Sequence, residues 1–436
     1  MKIIPRNFSL VRSTLLSATI STTAAVTLVL PGVSRTVSEK SANATFENSP
    51  KAVLDEAWQI VNREYVDANF NQVDWQVIRQ ELLSQNYTSH DEAYLALKNA
   101  LERLGDPYTR FMNPKQFEAL TNQTSGELSG VGMQLEQDEA TQMITVVKPI
   151  ENSPAMRAGI QPQDQILEID GKSTTGMTVG QVAEMIRGAV GTQVTLRINR
   201  PGTDPFDLTL TRARIELEAV RYSLKQEGQT RVGYIRLQEF STHAGEQMER
   251  AIQELQRQQA EGFVLDLRGN PGGLLRISID IARMWLNDGA IVSTVDRNGE
   301  SQEMRATRSS ITDKPLVVLV DGESASASEI LAGALKDNQR ATIMGTQTFG
   351  KALVQSVHAL GDGSGLAVTI AHYYTPNGTD ISKKGVTPDI AIELSEGEKR
   401  NLATQPNLLA TEQDPYYSRA INLLQTAISA RPVAAH

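Results

Sequence analysis

The sequence predicts a multidomain α/β protein, and three observations support that prediction. The chain has 436 residues, which is more than one hydrophobic core usually organises, so two or three domains are expected. Helical periodicity dominates residues 45–116, and short strands separated by glycine turns follow up to residue 203. From residue 204 to 395 strands alternate with helices, as in an α/β core.

The composition excludes several kinds of function. The net charge is −9 and no basic block interleaved with aromatic residues occurs, which argues against nucleic acid as a partner. The chain has no cysteine, so cysteine nucleophiles, disulfides and thiolate metal sites are excluded together. Because there are only five histidines and no His-Glu-x-x-His sequence, we expect no metal centre and no cofactor.

Residues 1–44 have the pattern of a secretory signal. Basic residues precede an apolar stretch at 15–30, and Ala42-Asn43-Ala44 then offers a cleavage site of small residues. The alternative is an uncleaved membrane anchor, because the apolar stretch is long enough to span a bilayer marginally, although serine and threonine make it polar for that purpose. In both cases we expect the protein to work outside the cytoplasm, with membrane association only in the second.

Three segments of residues 45–116 show the periodicity of amphipathic helices. They lie around Val53–Tyr65, around Trp75–Leu83, and from His90 to Leu104 with Ser89 as a candidate N-cap. Gly105-Asp106-Pro107 ends the third segment. We expect this region to be a packing element without a part in the chemistry.

Residues 117–203 carry an ordered set of motifs. They are Ser129-Gly130-Val131-Gly132-Met133 before an alternating strand, Ser153 to Ile160, Gln163 to Gly171, and a helix from Val179 to Arg187. Each is weak evidence alone, but in this order they resemble a PDZ domain in its bacterial arrangement. The resemblance implies that backbone N–H groups of Val131, Gly132 and Met133 bind the C-terminal carboxylate of a peptide, which pairs with the following strand. Arg187 either binds an acidic group or caps its helix.

A glycine-rich loop occupies residues 268–273 of the α/β domain. It follows a predicted buried strand, Phe263–Leu267, and precedes a helix that starts near Leu274. Such a loop presents backbone N–H groups without obstructing side chains, which suits an anion-binding nest or an oxyanion hole. A tight strand-to-helix turn is the structural alternative. A P-loop is excluded because no Gly-Lys-Ser or Gly-Lys-Thr ends the loop.

The stretch from residue 314 to 355 contains the candidate nucleophile. Pro315–Val320 is predicted to be a buried strand, and Ser326–Lys336 a helix after a turn. Ser326 thus lies at the first helical turn, where free N–H groups and the helix dipole would stabilise a developing oxyanion. The structural alternative is a capping box, because Ser326 and Glu329 have its Ser-x-x-Glu spacing.

Lys351 is the candidate general base. An alternating apolar stretch puts Lys351, Leu353 and Gln355 on one face of a predicted strand. A lysine on such a face is desolvated, which lowers its pKa and favours the neutral amine that accepts a proton. The structural alternative is a strand-end lysine with its ammonium in water. A Ser–His–Asp triad with His358 or His372 as base is the nearest catalytic alternative, although odd spacing places His358 on the opposite face from Lys351.

These pieces in this order resemble the carboxyl-terminal processing proteases, also called tail-specific proteases, over about residues 50–395. The pieces are the PDZ-like set, the Gly-Asn-Pro-Gly-Gly loop, the Ser-Ala-Ser-Ala-Ser-Glu helix start and the Phe-Gly-Lys strand. The resemblance is strongest to the cyanobacterial and chloroplast branch, whose members act in the periplasm or thylakoid lumen. One of them trims a photosystem II reaction-centre precursor, which is an analogy for this chain and no more.

The resemblance implies a fold and a set of roles. It implies a protease core related to the ββα spiral of crotonases, and a serine endopeptidase that cleaves protein substrates near their C-terminal tails. By position, Ser326 matches the nucleophile, Lys351 the base and Gln355 the residue that orients the lysine. The oxyanion-hole N–H groups would come from Ala327 and from Gly272 or Gly273.

One position departs from the family pattern. Ala352 follows Phe-Gly-Lys where the family usually has glycine, which would matter if the backbone there needed a positive φ. Two other classes of function stay open: a non-catalytic PDZ scaffold, and a crotonase-like acyl transferase or hydratase, in whose chemistry Lys351 has no role. Residues 396–436 form a polar, helix-compatible tail to which the sequence assigns no function.

Overall fold

The computed structural model describes residues 27–29, 49–138 and 141–430. These residues form two compact units, one of residues 127–217 and one of residues 27–29, 49–126 and 218–430. The secretory signal expected at residues 1–44 lies outside the described residues, apart from residues 27–29. No helix within the described ranges is both long and apolar enough to cross a membrane.

The helical N-terminal region agrees closely with the sequence pattern. Its α-helices are Pro50–Glu64, Trp75–Ser84 and His90–Glu102, with N-caps at Ser49, Asp74 and Ser89. A strand, Arg110–Met112, and a further helix, Pro114–Ser125, follow. The sequence pattern placed the start of the strand-rich part near residue 117, but this last helix covers that position because Asn113 and Gln116 form a capping box. The strand-rich unit therefore begins at Glu127.

The unit of residues 127–217 is built on an antiparallel sheet. Its strands, in spatial order, are Met133–Gln137, Ile144–Pro149, Gln165–Ile169, Gln193–Asn199 and Phe206–Thr211, with Lys172–Ser173 pairing off Gln165–Ile169. Two helices, Pro154–Arg157 and Val179–Ile186, and a second sheet of Glu127–Gly130 and Ala213–Glu216 complete it. Met133–Gln137 lies at the edge of the larger sheet, so its outer side can pair with another strand.

A six-stranded sheet forms the centre of the second unit. In spatial order its strands are Val220–Glu227, Thr230–Leu237, Gly262–Asp266, Leu316–Val320, Thr342–Gly345 and Ile390–Ala391, all parallel except the first. The helices Ala244–Arg257, Leu275–Trp285 and Ala327–Asp337 pack into the core on one face. Helix Pro415–Ser429 packs on the other face. Both faces are thus buried, as is typical of parallel sheets.

A second sheet in this unit joins distant parts of the chain. Its strands, in order, are Gly273–Leu274, Thr27–Val29, Leu353–Ala359, Gly365–Tyr374, Ala290–Asp296 and Ser301–Arg305. Arg110–Met112 pairs with Gly365–Tyr374. The end of the helical region is therefore built into the sheet that carries Gln355.

The C-terminal segment is not the polar tail that the sequence suggested. After helix Glu396–Thr404 and a 3-10 turn, Pro406–Leu408, the chain forms helix Pro415–Ser429. Buried residues of this helix pack against Val232, Val264 and Leu319 of the central sheet. They are Tyr416, Tyr417, Ala420, Ile421 and Leu424. Periodic apolar residues among polar ones hid a core helix in this segment.

Candidate active site

Ser326 lies at a sharp turn between the strand Leu316–Val320 and the helix Ala327–Asp337. Its backbone has φ 56° and ψ −113°, a conformation that L-residues other than glycine rarely adopt. The residue is fully buried. Strain of this kind costs about 1–3 kcal/mol and clusters at functional sites. In α/β-hydrolases a strained strand-to-helix turn presents the nucleophilic serine.

The Ser326 hydroxyl does not cap the helix. Glu329 Oε2 accepts a hydrogen bond from the Ser326 N–H at 2.8 Å, but the Glu329 N–H donates to the Ser326 carbonyl rather than to Oγ. Within the described residues Ser326 Oγ has no hydrogen-bond partner although it is buried. Glutamate thus supplies its half of a capping box while the serine hydroxyl stays free for other chemistry.

Lys351 is buried beside Ser326's helix, and its ammonium nitrogen is also without a hydrogen-bond partner in the described structure. Nζ lies 4.5 Å from the centre of the Tyr108 ring. Burial, followed by the positive charge of Arg110, lowers the pKa of Lys351 well below its usual value, although Asp106 and Glu329 act in the opposite direction. A desolvated lysine that loses its proton readily is the form that general-base catalysis needs.

Lys351 is buried as predicted, but the predicted reason, a place on the apolar face of a strand, is wrong. The strand starts at Leu353, two residues after the lysine, and its pairing has a bulge between Val354 and Gln355. No single strand face therefore carries Lys351 and Gln355. The position of Lys351 is fixed instead by its backbone N–H, which donates to Glu329 Oε2 at 2.9 Å.

Gln355 is fully buried and connects to the N-terminal region. Its Nε2 donates to Thr369 Oγ1 at 3.4 Å, and that hydroxyl donates to Asp106 Oδ2 at 2.7 Å. Gln355 Oε1 has no partner among the described residues. Gln355 thus keeps one buried amide oxygen available as an acceptor.

The glycine loop of residues 268–273 packs directly against the nucleophile. A Cβ on Gly272, whose φ is 105°, would lie 2.9 Å from Ser326 Cβ and 3.0 Å from the Ala327 nitrogen. Any side chain there would displace Ser326, so glycine is required. The Gly272 N–H donates to Asn270 Oδ1 at 2.9 Å, which commits it to the loop itself. Of the two glycines, Gly272 is therefore the weaker candidate for an oxyanion donor.

Glu329 is a functional residue that the sequence analysis saw only as a helix cap. Its buried carboxylate accepts from the backbone N–H groups of Ser326, Gly350 and Lys351 and from Thr348 Oγ1, at 2.6–2.9 Å. Burial raises the pKa of this carboxyl group, and the hydrogen bonds oppose that rise. One side chain thus fixes the backbones of Ser326 and Lys351 relative to each other.

Tyr373 makes a second link between the same two residues. Its buried hydroxyl lies within hydrogen-bond reach of the carbonyl oxygens of both Ser326 and Lys351. The tyrosine comes from the strand Gly365–Tyr374, so the second sheet also links the backbones of Ser326 and Lys351.

The helical region contributes Asp106, Tyr108 and Arg110, which the sequence analysis did not assign to the site. Asp106 also accepts a hydrogen bond from Thr109 Oγ1 at 2.7 Å, and Arg110 Nη1 is buried without a partner in the described structure. In the sequence this segment is marked by Gly105-Asp106-Pro107, which we interpreted only as the end of the third helix. This region is therefore more than a packing element.

Neither histidine of the alternative triad takes part in the site. His358 Nε2 lies 2.7 Å from Glu64 Oε2, at the end of the first helix, and His372 is exposed. These positions argue against the Ser–His–Asp alternative with either histidine as base. The described residues also contain no group of histidine, cysteine, aspartate or glutamate side chains that could hold a metal ion.

The predicted peptide-binding loop lies in the other unit, in a cleft of about 100 Å³. The loop residues Val131, Gly132 and Met133 line the cleft. Ile186 and Arg187, at the end of the helix Val179–Ile186, also line it. Gly132 has φ 78°, and a Cβ there would lie 2.4 Å from Ser153 Cβ. Arg187 stands at the C-cap of its helix and pairs with the exposed Glu184 at 3.8 Å.

Sequence comparison identifies the family. Residues 231–392 match the model of peptidase family S41, and residues 145–200 match that of a PDZ domain. A carboxyl-terminal-processing protease of Synechocystis sp. is 45% identical over 351 residues, which cover 80% of this chain and 82% of that protein. The chain belongs to the carboxyl-terminal-processing protease family.

Other members of the family agree with this assignment. Carboxyl-terminal-processing peptidase 2, chloroplastic, of Arabidopsis thaliana is 40% identical over 78% of this chain and 68% of its own length. A solved structure named photosystem II D1 C-terminal processing protease is 35% identical, covers 85% of this chain and 100% of its own, and superposes with a TM-score of 0.53. This carboxyl-terminal-processing protease is therefore a serine-type peptidase with a PDZ domain, as the sequence predicted.

Alanine at position 352, where the family usually has glycine, fits the backbone of this chain. Ala352 is not among the described residues with positive φ, and its side chain is buried in the main core. The preceding Gly350 is the position that needs glycine, because it has φ 92° and a Cβ there would lie 2.8 Å from the Lys384 nitrogen. The backbone at position 352 therefore does not require glycine.

Proposed function

We propose that this peptidase cleaves protein substrates near their C-termini with Ser326 as nucleophile and neutral Lys351 as general base. The observation that carries the proposal is that Ser326 Oγ and Lys351 Nζ are both buried, both unpaired in the described structure, and both tied to the carboxylate of Glu329 through their backbones. Unpaired buried polar groups cost stability, so they are expected where reactivity requires them.

In the proposed reaction, the Lys351 amine takes the proton of Ser326 Oγ as the hydroxyl attacks the scissile carbonyl carbon. The N–H groups of Ala327 and Gly273 stabilise the oxyanion, and the lysine ammonium then gives its proton to the leaving amine. Water attacks the acyl-enzyme with the lysine again as base. Hydroxyl and amine are not hydrogen-bonded in this structure, and catalytic hydrogen bonds often form only with substrate bound.

The substrate backbone is proposed to bind as an extended strand beside the nucleophile. Thr27–Val29 lies between the strands Gly273–Leu274 and Leu353–Ala359 and runs parallel to both. Leu28 pairs with Leu274 on one side and with Gln355 on the other. Two strand edges that accept an extended segment here would also accept a peptide substrate, next to the Gly273 N–H.

The PDZ domain is proposed to bind the free carboxylate of the substrate. The backbone N–H groups of Val131, Gly132 and Met133 are the donors expected from the resemblance, and the open edge of Met133–Gln137 supports pairing with the peptide. The protein is proposed to act in the periplasm or thylakoid lumen, because residues 1–44 have the pattern of a leader. By analogy with the named relative, its substrate is the C-terminal extension of a photosystem II reaction-centre precursor.

A pair of peptides with one sequence tests the proposal, one ending in a free carboxylate and the other in an amide. We expect the wild-type enzyme to cleave the free acid with the lower KM and Ser326→Ala to cleave neither. Equal cleavage of the two peptides would refute carboxylate capture. Cleavage by Ser326→Ala at the wild-type rate would refute the nucleophile.

A further inference from the structure

Arg268, the first residue of the glycine loop, lies in a buried ion cluster that reaches the C-terminal segment. Its guanidinium donates to both carboxylate oxygens of Asp266 at 2.6–2.8 Å and to both of Asp414 at 2.8–3.0 Å. Asp266 and Asp414 are fully buried and Arg268 is 6% exposed. We call these three residues the anchor cluster. It joins positions that are 146 residues apart in the chain.

The charges of the anchor cluster depend on Asp414. Burial alone would lower the pKa of Arg268, but Asp266 and Asp414 raise it well above its usual value. Asp266 is shared with a second cation, because Arg236 Nη1 lies 4.0 Å from its Oδ2. Without Asp414, two arginines would have one buried carboxylate between them. Removing one partner of a buried ion pair usually destabilises a protein strongly, because the other charge is left buried and uncompensated.

Asp414 is itself held firmly. It is the N-cap of helix Pro415–Ser429 and accepts from the backbone N–H groups of Tyr416, at 3.1 Å, and Ala410, at 3.2 Å. The Tyr416 ring lies under the Arg268 guanidinium, 4.9 Å from ring centre to Cζ. Because this helix packs on the central sheet, Asp414 is a rigid support for Arg268.

Movement of Arg268 would pass along the loop to the nucleophile. The Gly269 N–H donates to Asp321 Oδ1, and the Asn270 carbonyl accepts from the Ala325 N–H and from Ser328 Oγ. Asn270 Oδ1 in turn fixes Gly272, which lies against Ser326 Cβ. The loop is too closely packed to absorb a shift at one end without displacing the other end.

We propose that Asp414 is a positioning residue for catalysis: by holding Arg268 it sets the glycine loop so that the Gly273 N–H meets the oxyanion formed at Ser326. This inference rests on the proposed function. It assigns part of the catalytic geometry to the C-terminal segment, for which the sequence suggested no role. A positioning role predicts a loss in kcat, whereas a purely structural role predicts only a loss of stability.

Asp414→Asn tests the inference in the full-length enzyme with a free-acid peptide. Asparagine caps helices as well as aspartate does, so the helix keeps its N-cap while Arg268 loses a charge and an acceptor. We expect kcat to fall roughly 10- to 100-fold with KM changed less than about twofold, since misplacement by about 1 Å can cost that much. Tyr417→Phe is the matched control, because it removes a different polar link of this helix, to Glu227 Oε1 at 2.7 Å, and should keep the wild-type kcat.

Further variants keep the inference falsifiable. If Asp414→Asn does not fold, Asp414→Glu keeps the charge but shifts Arg268, and should lower kcat by a smaller factor. The double variant Asp414→Asn with Arg268→Met should be no slower than Arg268→Met alone if Asp414 acts through the arginine. A folded Asp414→Asn or Asp414→Glu with the wild-type kcat would overturn the inference. Together with an inactive Ser326→Ala, that result would leave the proposed function intact, whereas an active Ser326→Ala would overturn the proposed function itself.

Discussion

Two polar clusters of the protease unit lie on either side of the glycine loop and differ in how their buried atoms are paired. In the anchor cluster, every carboxylate oxygen of Asp266 and Asp414 accepts from Arg268. The other cluster contains the proposed catalytic residues Ser326, Lys351 and Gln355, and we call it the catalytic cluster. Each of its residues keeps one buried polar atom without a partner in the described structure. The paired cluster fixes geometry, and the unpaired one leaves reactive groups available at a cost in stability.

The largest effect is expected for Ser326→Ala, which should remove activity without a matching loss of stability. Ser326→Ala should abolish hydrolysis while leaving the free energy of unfolding within about 1 kcal/mol of wild type, because the lost hydroxyl has no hydrogen bond to lose. Ser328→Ala is the matched control. It removes the hydrogen bond from Ser328 Oγ to the Asn270 carbonyl at 3.0 Å, so it should cost about 1 kcal/mol. Most turnover should remain, because the Ala325 N–H still donates to that carbonyl and holds the loop. Peptide hydrolysis and urea unfolding measure both quantities, and a large stability loss in Ser326→Ala would contradict the comparison.

The next largest effect is expected when Glu329, whose carboxylate holds the backbones of Ser326 and Lys351, is replaced. Glu329→Gln replaces one acceptor oxygen by an amide that faces two donors, so two of the four hydrogen bonds should be lost. We expect activity to fall by about 10² and unfolding free energy by about 2–4 kcal/mol. Glu323→Gln, on the exposed side of the same turn, should change stability by less than about 0.5 kcal/mol. Kinetics and unfolding of the two variants together would show whether Glu329 has the role assigned here.

The smallest effect is a gain in stability. Lys351→Met replaces an unpaired buried amine by an apolar side chain of similar length and should raise the unfolding free energy by about 1–3 kcal/mol near neutral pH. Because the folded-state pKa of Lys351 is lowered, the unfolded chain binds more protons between that pKa and the usual value of 10.5. Wild-type stability should therefore rise with pH through this window, and the methionine variant should lose that part of the pH dependence. An unfolding series over pH measures it, and a less stable methionine variant would contradict the cost assigned to Lys351.

Sequence patterns predicted local structure well where one period dominated. The helix predicted at Trp75–Leu83 is Trp75–Ser84, and the helix predicted at Ser326–Lys336 is Ala327–Asp337. These elements follow from apolar spacing and capping residues close together in the chain. The same patterns placed Ser326, Lys351 and the glycine loop in one domain.

What the sequence did not predict depends on contacts between distant segments. No periodic pattern in the sequence predicts that Asp106 and Tyr108 lie near Lys351, or that Asp414 binds Arg268. The Ser-x-x-Glu spacing was visible, but only the structure showed that Glu329 caps the helix while the serine hydroxyl does not. Local spacing restricts which groups can meet, and tertiary packing decides which of them do.

The pH dependence of kcat/KM in the wild type and in Lys351→Arg tests the central claim most directly. If neutral Lys351 is the base, wild-type kcat/KM should rise with pH through a pKa well below 10.5, and Lys351→Arg should be inactive from about pH 6 to about pH 10, because guanidinium stays protonated. A folded Lys351→Arg that hydrolyses the peptide with the wild-type profile would show that only the positive charge matters, and would contradict the Ser–Lys mechanism.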